Sequence, residues 1–338
     1  MASRLAPGRK GVSFLPATRA CLRRGLILAL LVVASAAQAA EPFPSRPIRL
    51  VVGFGAGGPT DIPARFIAEK LGARLGQNVV VENKPGAGGM LATRDVLSQP
   101  ADGQTLLLCT HFESINTVLY RNPQYALQDL APISLIAKYY YGLGLSNAIP
   151  ADTFEQFVAY AKAHPGEVGY ISIGIGSAQE ILARQLERLA GMSMNRIPYR
   201  GGPQVMQDLL SGIVHFYVAP TLQVLPQYES RKLKVLAVSS PQRLDVAPEI
   251  PTLLEKGIDF VRYGWLGMCA RAGTPSSIID LLNRNIVAIV ATPEYQALIA
   301  KSGSMPISSS PAELAGVLTQ TVDDVAATIR EFGMQQDQ

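Results

Sequence analysis

A short apolar strand, a glycine-bearing loop and an amphipathic helix follow one another early in the chain, and this unit constrains the fold most. The first strand is predicted over Ile48–Val52, which is rich in β-branched residues. The loop over 53–58 contains four glycines, and the apolar side chains of 62–75 recur at helical spacing. Thr60 or Asp61 can cap this helix. Because strands that alternate with helices usually pair in parallel, the unit predicts an α/β fold.

The same unit recurs along the chain, which predicts two α/β lobes. Further strands are predicted over 79–82, 105–108, 168–173, 195–198, 214–218 and 234–238, with a return crossing over 260–268. Two apolar stretches, 133–136 and 139–145, separate the two series of strands. Helices are predicted near the end of the chain, around 276–291, 293–301 and 311–332. The second lobe is expected to be inserted in the first, with lobe I formed by 40–142 plus 265–338 and lobe II by 143–264.

The N-terminal segment 1–39 has the pattern of a secretory signal peptide. It holds six basic residues and no acid, followed by thirteen apolar or small residues over 25–37 and an A-x-A pattern that ends at Ala39. A membrane-spanning helix would need about 20 apolar residues. We therefore expect cleavage near Ala39 and a soluble periplasmic protein. Arg23-Arg24 leaves twin-arginine export open beside the general secretory route.

Basic residues are concentrated in the N-terminal segment, and the net charge of the remaining chain argues against several classes of function. The whole chain carries 30 basic and 26 acidic residues, a formal net charge of +4. Without 1–39 it carries 24 basic residues and a net charge of −2, so neither nucleic-acid binding nor attraction of anions by bulk charge is expected. Cys109 and Cys269 remain after cleavage, and the sequence is compatible with either a disulfide or two buried thiols.

The first glycine loop also matches a dinucleotide-binding fingerprint, which makes an oxidoreductase a competing hypothesis. Gly53-x-Gly55-x-x-Gly58 follows a strand, and Glu82 stands where an acid would bind a ribose. Asp61 would repel a pyrophosphate at the helix N-terminus, and Pro59 lacks a backbone N–H for it. Export also separates the protein from cytosolic cofactors. No cofactor is expected.

An exported hydrolase is the second enzymatic alternative. His111 and Glu113 follow the third predicted strand and could form an acid–base pair. The three histidines do not fall at metal-ligating spacings, and no G-x-S-x-G nucleophile motif is present in the sequence. No metal and no catalytic residue is therefore expected.

Glycine loops that join strands to helices are suited to bind anions without lysine or arginine. Helix N-termini present free N–H groups and the positive end of the helix dipole, and ligands of open α/β sheets bind at this edge. Two such edges facing each other predict a cleft that closes on a small carboxylate like a hinge. The protein is therefore expected to be a binding protein and not an enzyme.

Several short motifs, which follow one another along the chain in the same order as in a known family, resemble the motifs of that family. Phe54 to Asp61 is similar to P-F-x-x-G-G-x-x-D, and 83–89 (Asn-Lys-Pro-Gly-Ala-Gly-Gly) to N-[RK]-P-G-A-G-G. The segments 101–107, 198–201 and 272–275 resemble P-D-G-Y-T-L-L, P-Y-[KR]-G and A-G-T-P. Over 43–333 the chain resembles the tripartite tricarboxylate transporter substrate-binding (Bug) family of periplasmic solute-binding proteins. The resemblance implies a type II, Venus-flytrap fold of two Rossmann-like lobes, each with a parallel or mixed sheet.

The family likeness also implies how a ligand is held and delivered. Backbone N–H groups and short side chains of the glycine loops would bind a carboxylate, and the loaded protein, a monomer, would dock on a two-component membrane permease. The loops and the resemblance together give these candidate ligand-binding residues: Phe54, Gly57, Gly58, Thr60, Asp61, Gly86, Ala87, Gly88, Thr110, His111, Gly176, Ser177, Tyr199, Pro220 and Thr221.

Departures from the family pattern leave the identity of the ligand open. Gly53 and Ala56 replace prolines of the first loop, Glu180 stands near the place of a common histidine, and Ala219 or Pro220 replaces an acidic or asparagine residue. The run 139–141 (three tyrosines) and Trp265 could stack on an aromatic acid or pack the hinge. A dicarboxylate, a tricarboxylate, an amino acid and an aromatic acid all remain candidates.

Overall fold

The computed structural model describes residues 2, 8, 11, 43–173, 177–199, 203–301 and 303–336. Residues from Phe43 onward form one compact unit. The predicted signal peptide lies outside the described residues, apart from three isolated positions, and so does Gly176.

Three parallel strands and three helices build the first part of the fold. The strands are β1 (Ile48–Val52), β2 (Val79–Asn83) and β3 (Thr105–Thr110), with β1 between the other two. The helices are α1 (Asp61–Leu75), α2 (Met90–Ser98) and α3 (His111–Leu119). Each helix follows a glycine loop or a strand end, so all three begin at one edge of the sheet. The predicted first unit is confirmed.

A long strand, β4 (Leu130–Leu145), joins the two parts of the sheet. Its first eleven residues pair antiparallel with β9 (Tyr263–Arg271), which in turn pairs with β3. From Tyr141 onward its partners are β7 (Phe216–Pro220) and β8 (Lys234–Val238). The strand order is β2-β1-β3-β9-β4-β7-β5-β6, where β5 is Gly169–Ser172 and β6 is Asn195–Pro198.

The second part repeats the parallel arrangement of the first. Strand β5 lies parallel to both β6 and β7. Its helices are α4 (Phe154–Ala163), α5 (Ala178–Ala190), α6 (Pro203–Ser211) and α7 (Thr221–Glu229). Each part of the sheet is therefore mixed, since parallel strands meet antiparallel crossing strands.

Three further helices complete the fold and confirm the prediction for the chain end. They are α8 (Ser276–Val290), α9 (Pro293–Ala300) and α10 (Pro311–Glu331), with a short strand β10 (Met305–Pro306) that pairs with β4. Side chains such as Leu282 and Ile286 of α8 are fully buried in the core.

Cys109 of β3 and Cys269 of β9 form a disulfide, with their Cα atoms 5.8 Å apart. The pair joins two neighbouring antiparallel strands within the apolar core, next to Leu107 and Trp265. Of the two states that the sequence left open, the structure has the bonded one.

Among the described residues, the structure contains no helix with the length and apolar character needed to span a membrane.

Candidate functional site

A cavity of about 960 Å³ is lined by the first two glycine loops and by residues at strand ends and helix starts of the second part of the sheet. Twelve of the candidate residues line it: Phe54, Gly57, Gly58, Thr60, Gly86, Ala87, Gly88, Thr110, His111, Ser177, Tyr199 and Pro220. The elements explain this convergence, because each loop follows the carboxyl end of a parallel strand.

The first two glycine loops lie against each other at the cavity. A Cβ atom placed on Gly53 would come within 2.7 Å of the Cα atom of Gly89, so only glycine fits there. The proline that the family resemblance would place at position 53 would not fit against Gly89 here. Asn116 of α3 supports the second loop by donating a hydrogen bond to the Gly88 carbonyl at 3.1 Å.

Asp61, one of the candidate ligand-binding residues, does not line the cavity. Its side chain is 2% exposed, and its carboxylate accepts hydrogen bonds at 2.8 Å from the Gly57 N–H, from Asn83 Nδ2 and from Arg65 Nε. Burial by itself would raise the pKa of Asp61, but these donors outweigh it and hold that pKa below its usual value. The Asp61 carboxylate, at the start of α1, therefore stabilises the first loop through its hydrogen bond with the Gly57 N–H.

The same contacts weigh against the dinucleotide hypothesis. The Gly57 N–H, which a phosphate would need, is already bonded to Asp61. Glu82, the expected ribose ligand, receives two hydrogen bonds from Arg49, at 3.1 and 2.8 Å. One backbone N–H of the fingerprint loop and the expected ribose ligand are therefore engaged in contacts within the protein.

Glu113 is a helix cap. Its Oε2 accepts from the Thr110 N–H at 2.5 Å and from Thr110 Oγ1 at 3.0 Å, and its Oε1 accepts from Thr93 Oγ1 at 3.1 Å. Together with the Thr110 side chain this forms a capping box at the start of α3. Burial raises the pKa of Glu113 to about 7, although these hydrogen bonds oppose the shift.

His111 lies in an aromatic environment at the cavity. Its ring is 4.5 Å from that of Phe112, and its Nε2 is 3.4 Å from the Tyr141 hydroxyl. Burial lowers the pKa of His111 to about 4, so the ring is neutral at neutral pH. The hydrogen bonds described for His111 and Glu113 go to different groups, which weakens the hypothesis of a hydrolytic acid–base pair.

The second part of the fold adds the starts of α5 and α7 to the cavity wall, and only that of α5 has a side-chain cap described. Ser177 lines it and accepts a hydrogen bond from the Glu180 N–H at 3.3 Å. Glu180 itself is buried, with Arg196 Nε at 2.9 Å from its carboxylate. Thr221, a second candidate, does not line the cavity either. As the first residue of α7 it is fully buried, and its Oγ1 has no hydrogen-bond partner in the described structure.

Two glutamines at the cavity were not among the candidate residues predicted from the sequence. Gln179 and Gln223 line the cavity, and the Oε1 atom of each is buried without a hydrogen-bond partner in the described structure, as is Thr60 Oγ1. Both lie in the first turn of a helix that follows a predicted loop, so the turn as well as the loop faces the cavity. Extending each loop by one helical turn would have found them.

The aromatic residues divide between the cavity and the packing around it. Tyr139 lines the cavity, whereas Tyr141 and Trp265 are fully buried in the core. Trp265 Nε1 donates to Thr321 Oγ1 at 3.1 Å, which holds the indole against α10.

The remaining wall is largely apolar. These further residues contribute to it: Ile62, Phe112, Leu119, Tyr120, Ile173, Val205, Met206, Tyr217, Leu222 and Pro226. Among the described lining residues, none is an aspartate, glutamate, lysine or arginine. Within the described part of the chain no group of three or more His, Cys, Asp or Glu side chains is placed to hold a metal ion.

Comparison with known families decides what kind of protein has this cavity. The profile described as "Tripartite tricarboxylate transporter family receptor" matches residues 63–334. The chain belongs to this receptor family. Protein BugT of Bordetella pertussis (strain Tohama I) is 33% identical over 313 residues, which cover 91% of this chain and 96% of BugT. The resemblance stated from the motifs is thereby confirmed.

Several solved structures share the fold of this chain. The periplasmic binding protein BugD superposes with a TM-score of 0.83 at 32% identity and covers 88% of this chain and 100% of BugD. R. palustris Rpa4515 with adipate gives a TM-score of 0.83 at 27% identity, over 86% of this chain and 98% of that one. MatC (Rpa3494) from Rhodopseudomonas palustris with bound malate gives 0.80 at 26% identity, over 85% and 100%. The predicted fold class, a two-lobed periplasmic binding protein of type II, is confirmed.

Proposed function

We propose that this protein is a periplasmic receptor that captures a small organic carboxylate in the central cavity for uptake by a tripartite tricarboxylate-type permease. Membership of the receptor family supports the role, and relatives described with adipate and malate support the ligand class. The segment 1–39 would direct export and be removed near Ala39.

One structural observation carries the proposal. Two glycine loops of the first part and helix N-termini of both parts of the sheet open on one cavity, and buried polar atoms of Thr60, Gln179 and Gln223 there have no partner among the described residues. Buried polar atoms in native proteins are nearly always hydrogen-bonded. A carboxylate ligand is compatible with this arrangement, because Thr60 Oγ1 can donate to it and each glutamine can do so through its NH₂ group after rotation of the amide.

We also propose that the lobes close on the ligand by bending where the chain crosses between them. Lobe I would be 40–142 plus 265–338, and lobe II 143–264. The change of partner of β4, from β9 to β7 and β8 after Tyr140, supports this division. Ser239 links the two crossings, since Tyr141 N–H donates to its Oγ at 2.9 Å and its Oγ donates to the Arg262 carbonyl at 2.6 Å. The protein would act as a monomer that needs no cofactor.

Thermal unfolding of the purified protein tests the proposal with adipate, malate, citrate, glutamate and benzoate, and with NAD⁺ as the competing ligand. A ligand present at 100 times its Kd stabilises the folded protein by about 2.7 kcal/mol. We expect at least one carboxylate to raise the melting temperature and NAD⁺ to leave it unchanged. Stabilisation by NAD⁺ alone, or by none of the compounds, would contradict a carboxylate receptor.

A further inference from the structure

Helix α10 is fixed to the proposed lobe I over its first half. Ser114 of α3 donates a hydrogen bond from Oγ to the Leu318 carbonyl at 2.7 Å, and Trp265 of β9 donates from Nε1 to Thr321 Oγ1 at 3.1 Å. Leu314 and Leu318 are buried in one core cluster with Trp265. Because these contacts reach α3 and β9, this part of α10 has to move with lobe I.

The last turns of α10 contact α5, a helix of the proposed lobe II. Gln185 donates a hydrogen bond from Nε2 to Thr328 Oγ1 at 2.8 Å, and the two residues are only 7% and 8% exposed. One turn further along each helix, the Arg188 guanidinium pairs with the Glu331 carboxylate and lies 5.5 Å from the centre of the Phe332 ring. We call Gln185, Arg188, Thr328 and Glu331 the α5–α10 contact.

Helix α5 is itself fixed to lobe II and reaches the cavity. Glu187 accepts a hydrogen bond from the Met194 N–H, just before β6, at 2.5 Å. At the start of α5, Gln179 lines the cavity. A helix rises about 1.5 Å per residue, so Gln185 lies about 9 Å from Gln179 along α5. The α5–α10 contact therefore holds a helix whose first turn forms part of the cavity wall.

The α5–α10 contact lies apart from the crossings between the lobes. Thr328 is about 10 Å along α10 from Thr321, the partner of Trp265 near the crossings. Among the described side-chain hydrogen bonds, those that join the proposed lobes occur at the crossings, as from the Tyr141 N–H to Ser239 Oγ, or at this contact. A rotation about the crossings would therefore displace the two sides of the contact.

The contact also lies beside the cavity. After α10 the chain returns to the end of α3, where the Gln336 N–H donates to the Leu119 carbonyl at 2.8 Å, and Leu119 lines the cavity. The end of α10 is thus placed between α3 of lobe I and α5 of lobe II, both of which contribute to the cavity wall. Moving these walls apart would separate Gln185 from Thr328.

The walls of the cavity are close together in this structure. Thr110 and His111 of lobe I and Ser177 and Gln179 of lobe II line it, and none of the four is more than 4% exposed. The lobes therefore have a closed arrangement. Opening them would break the buried hydrogen bond and the ion pair of the α5–α10 contact, so this contact favours closure.

We propose that the α5–α10 contact stabilises the closed arrangement of the lobes and thereby helps to set how tightly a carboxylate is held, although none of its four residues lines the cavity. This proposal rests on the proposed function and its division into lobes, and it adds affinity-determining residues outside the binding site. A receptor that binds its ligand in the closed arrangement has an apparent affinity proportional to the fraction of protein that is closed. Loss of the contact therefore weakens binding without a change to the groups around the ligand.

A double variant, Thr328→Val/Glu331→Gln, tests the contact. Valine keeps the shape of threonine but gives Gln185 no acceptor, and glutamine removes the charge that pairs with Arg188. The control, Thr319→Val/Glu69→Gln, makes the same two changes where no lobe contact is described. Thr319 donates to the Ala315 carbonyl on the exposed face of α10, and Glu69 pairs with Lys70 within α1.

Pulsed electron paramagnetic resonance measures the distance between the lobes without any added carboxylate. Nitroxide labels at Arg94→Cys of α2 and Gln207→Cys of α6 are exposed, and these helices begin at the cavity in lobe I and lobe II. All proteins also carry Cys21→Ser, so that only these two positions are labelled. We expect the double variant to lower the ratio of short to long distances by about tenfold, since a buried donor loses its partner, and the control to leave it unchanged.

Identical distance distributions in the native protein and the double variant, whether short or long, would overturn the proposal. If the double variant does not fold, Glu331→Gln alone decides, because the Glu331 side chain is 49% exposed.

Isothermal titration with adipate and malate tests the effect on affinity. Whichever acid binds the native protein should bind the double variant about tenfold more weakly and the control equally well. Equal affinities for native protein and double variant would overturn the link between the contact and binding. If neither acid binds, the distances still decide whether the contact stabilises closure, and the result counts only against the proposed ligand class.

Discussion

At the scale of single residues, Gly264 determines where an aromatic wall of the cavity can lie. It faces Tyr139 across the paired strands β4 and β9, and a Cβ atom at position 264 would overlap the Tyr139 ring. We expect Gly264→Ala to destabilise the protein by about 1–3 kcal/mol, the usual effect of overpacking, and to displace Tyr139. Urea unfolding measures the first effect and titration with benzoate the second.

Gly316→Ala is the control for this substitution. Gly316 lies inside α10 with open space around its Cα atom, so the same change should stabilise the protein by about 0.4–1 kcal/mol. Equal effects of the two variants would show that Gly264 does not position Tyr139.

Asp61 gives the second prediction at this scale. Because its carboxylate holds the Gly57 N–H and Asn83 together, we expect Asp61→Ala to destabilise the protein by about 1–3 kcal/mol. Binding should weaken as well, through loss of order in the first loop. Arg65→Ala removes only a half-exposed partner and should cost less than about 1 kcal/mol. Unchanged stability and affinity in Asp61→Ala, measured by urea unfolding and titration, would contradict this role.

At the scale of elements, the cap of α3 makes stability depend on pH. The pKa of Glu113 rises to about 7 in the folded protein, above its ordinary 4.5, so its contribution is present at low pH and is lost as pH rises from about 4.5 to 7. The lowered pKa of His111 acts in the opposite direction, since its contribution is lost as pH falls from 6.5 to about 4. The two dependences largely offset each other in the native protein.

Glu113→Gln separates the two effects. Glutamine keeps the size and the capping oxygen but does not ionise. We expect the stability of the variant, relative to the native protein, to rise by on the order of 3 kcal/mol between pH 4.5 and 7. The His111 contribution is common to both proteins and cancels in this difference. A difference in unfolding free energy that stays constant over this pH range would exclude ionisation of Glu113 as the cause.

Local sequence signals identified most elements, and the exceptions have physical reasons. The two glycine loops predicted the positions of β1, β2, α1 and α2, because each loop joins a strand to a helix. Helices α3 and α7 were not predicted: α7 contains Pro226, and α3 begins directly at the end of a strand. The capping box from Thr110 to Glu113 could have revealed α3. Strand β4 was recognised only as two apolar stretches, 133–136 and 139–145, because the charged Lys138 interrupts the apolar pattern.

The sequence predicted the parts of the site that are formed by backbone loops. It did not predict the side-chain positions that depend on tertiary contacts. Most loop residues line the cavity as expected, since strand ends in parallel sheets converge. The direction of the Asp61 carboxylate depends on Asn83 and Arg65, which no local pattern relates to it. The same holds for the burial of Thr221 and for the space that Gly264 leaves for Tyr139.

At the scale of the whole molecule, the attraction for an anion has to be local. The chain from residue 40 onward carries a net charge of −2, and the described lining contains no acidic or basic side chain other than neutral His111. Helix ends and amide groups act over a short range, so they bind a carboxylate only when it is inside the cavity. Affinity should therefore depend little on ionic strength.

The disulfide closes a long loop of the chain. Cys109 and Cys269 are separated by 160 residues, a segment that contains all of the proposed lobe II. A cross-link of this kind stabilises mainly by restricting the unfolded chain, by about 2–4 kcal/mol. We expect dithiothreitol to lower the urea midpoint of the native protein and to leave that of a Cys109→Ala/Cys269→Ala variant unchanged. Equal midpoints of the native protein with and without dithiothreitol, once thiol titration shows that the bond is reduced, would contradict a stabilising role.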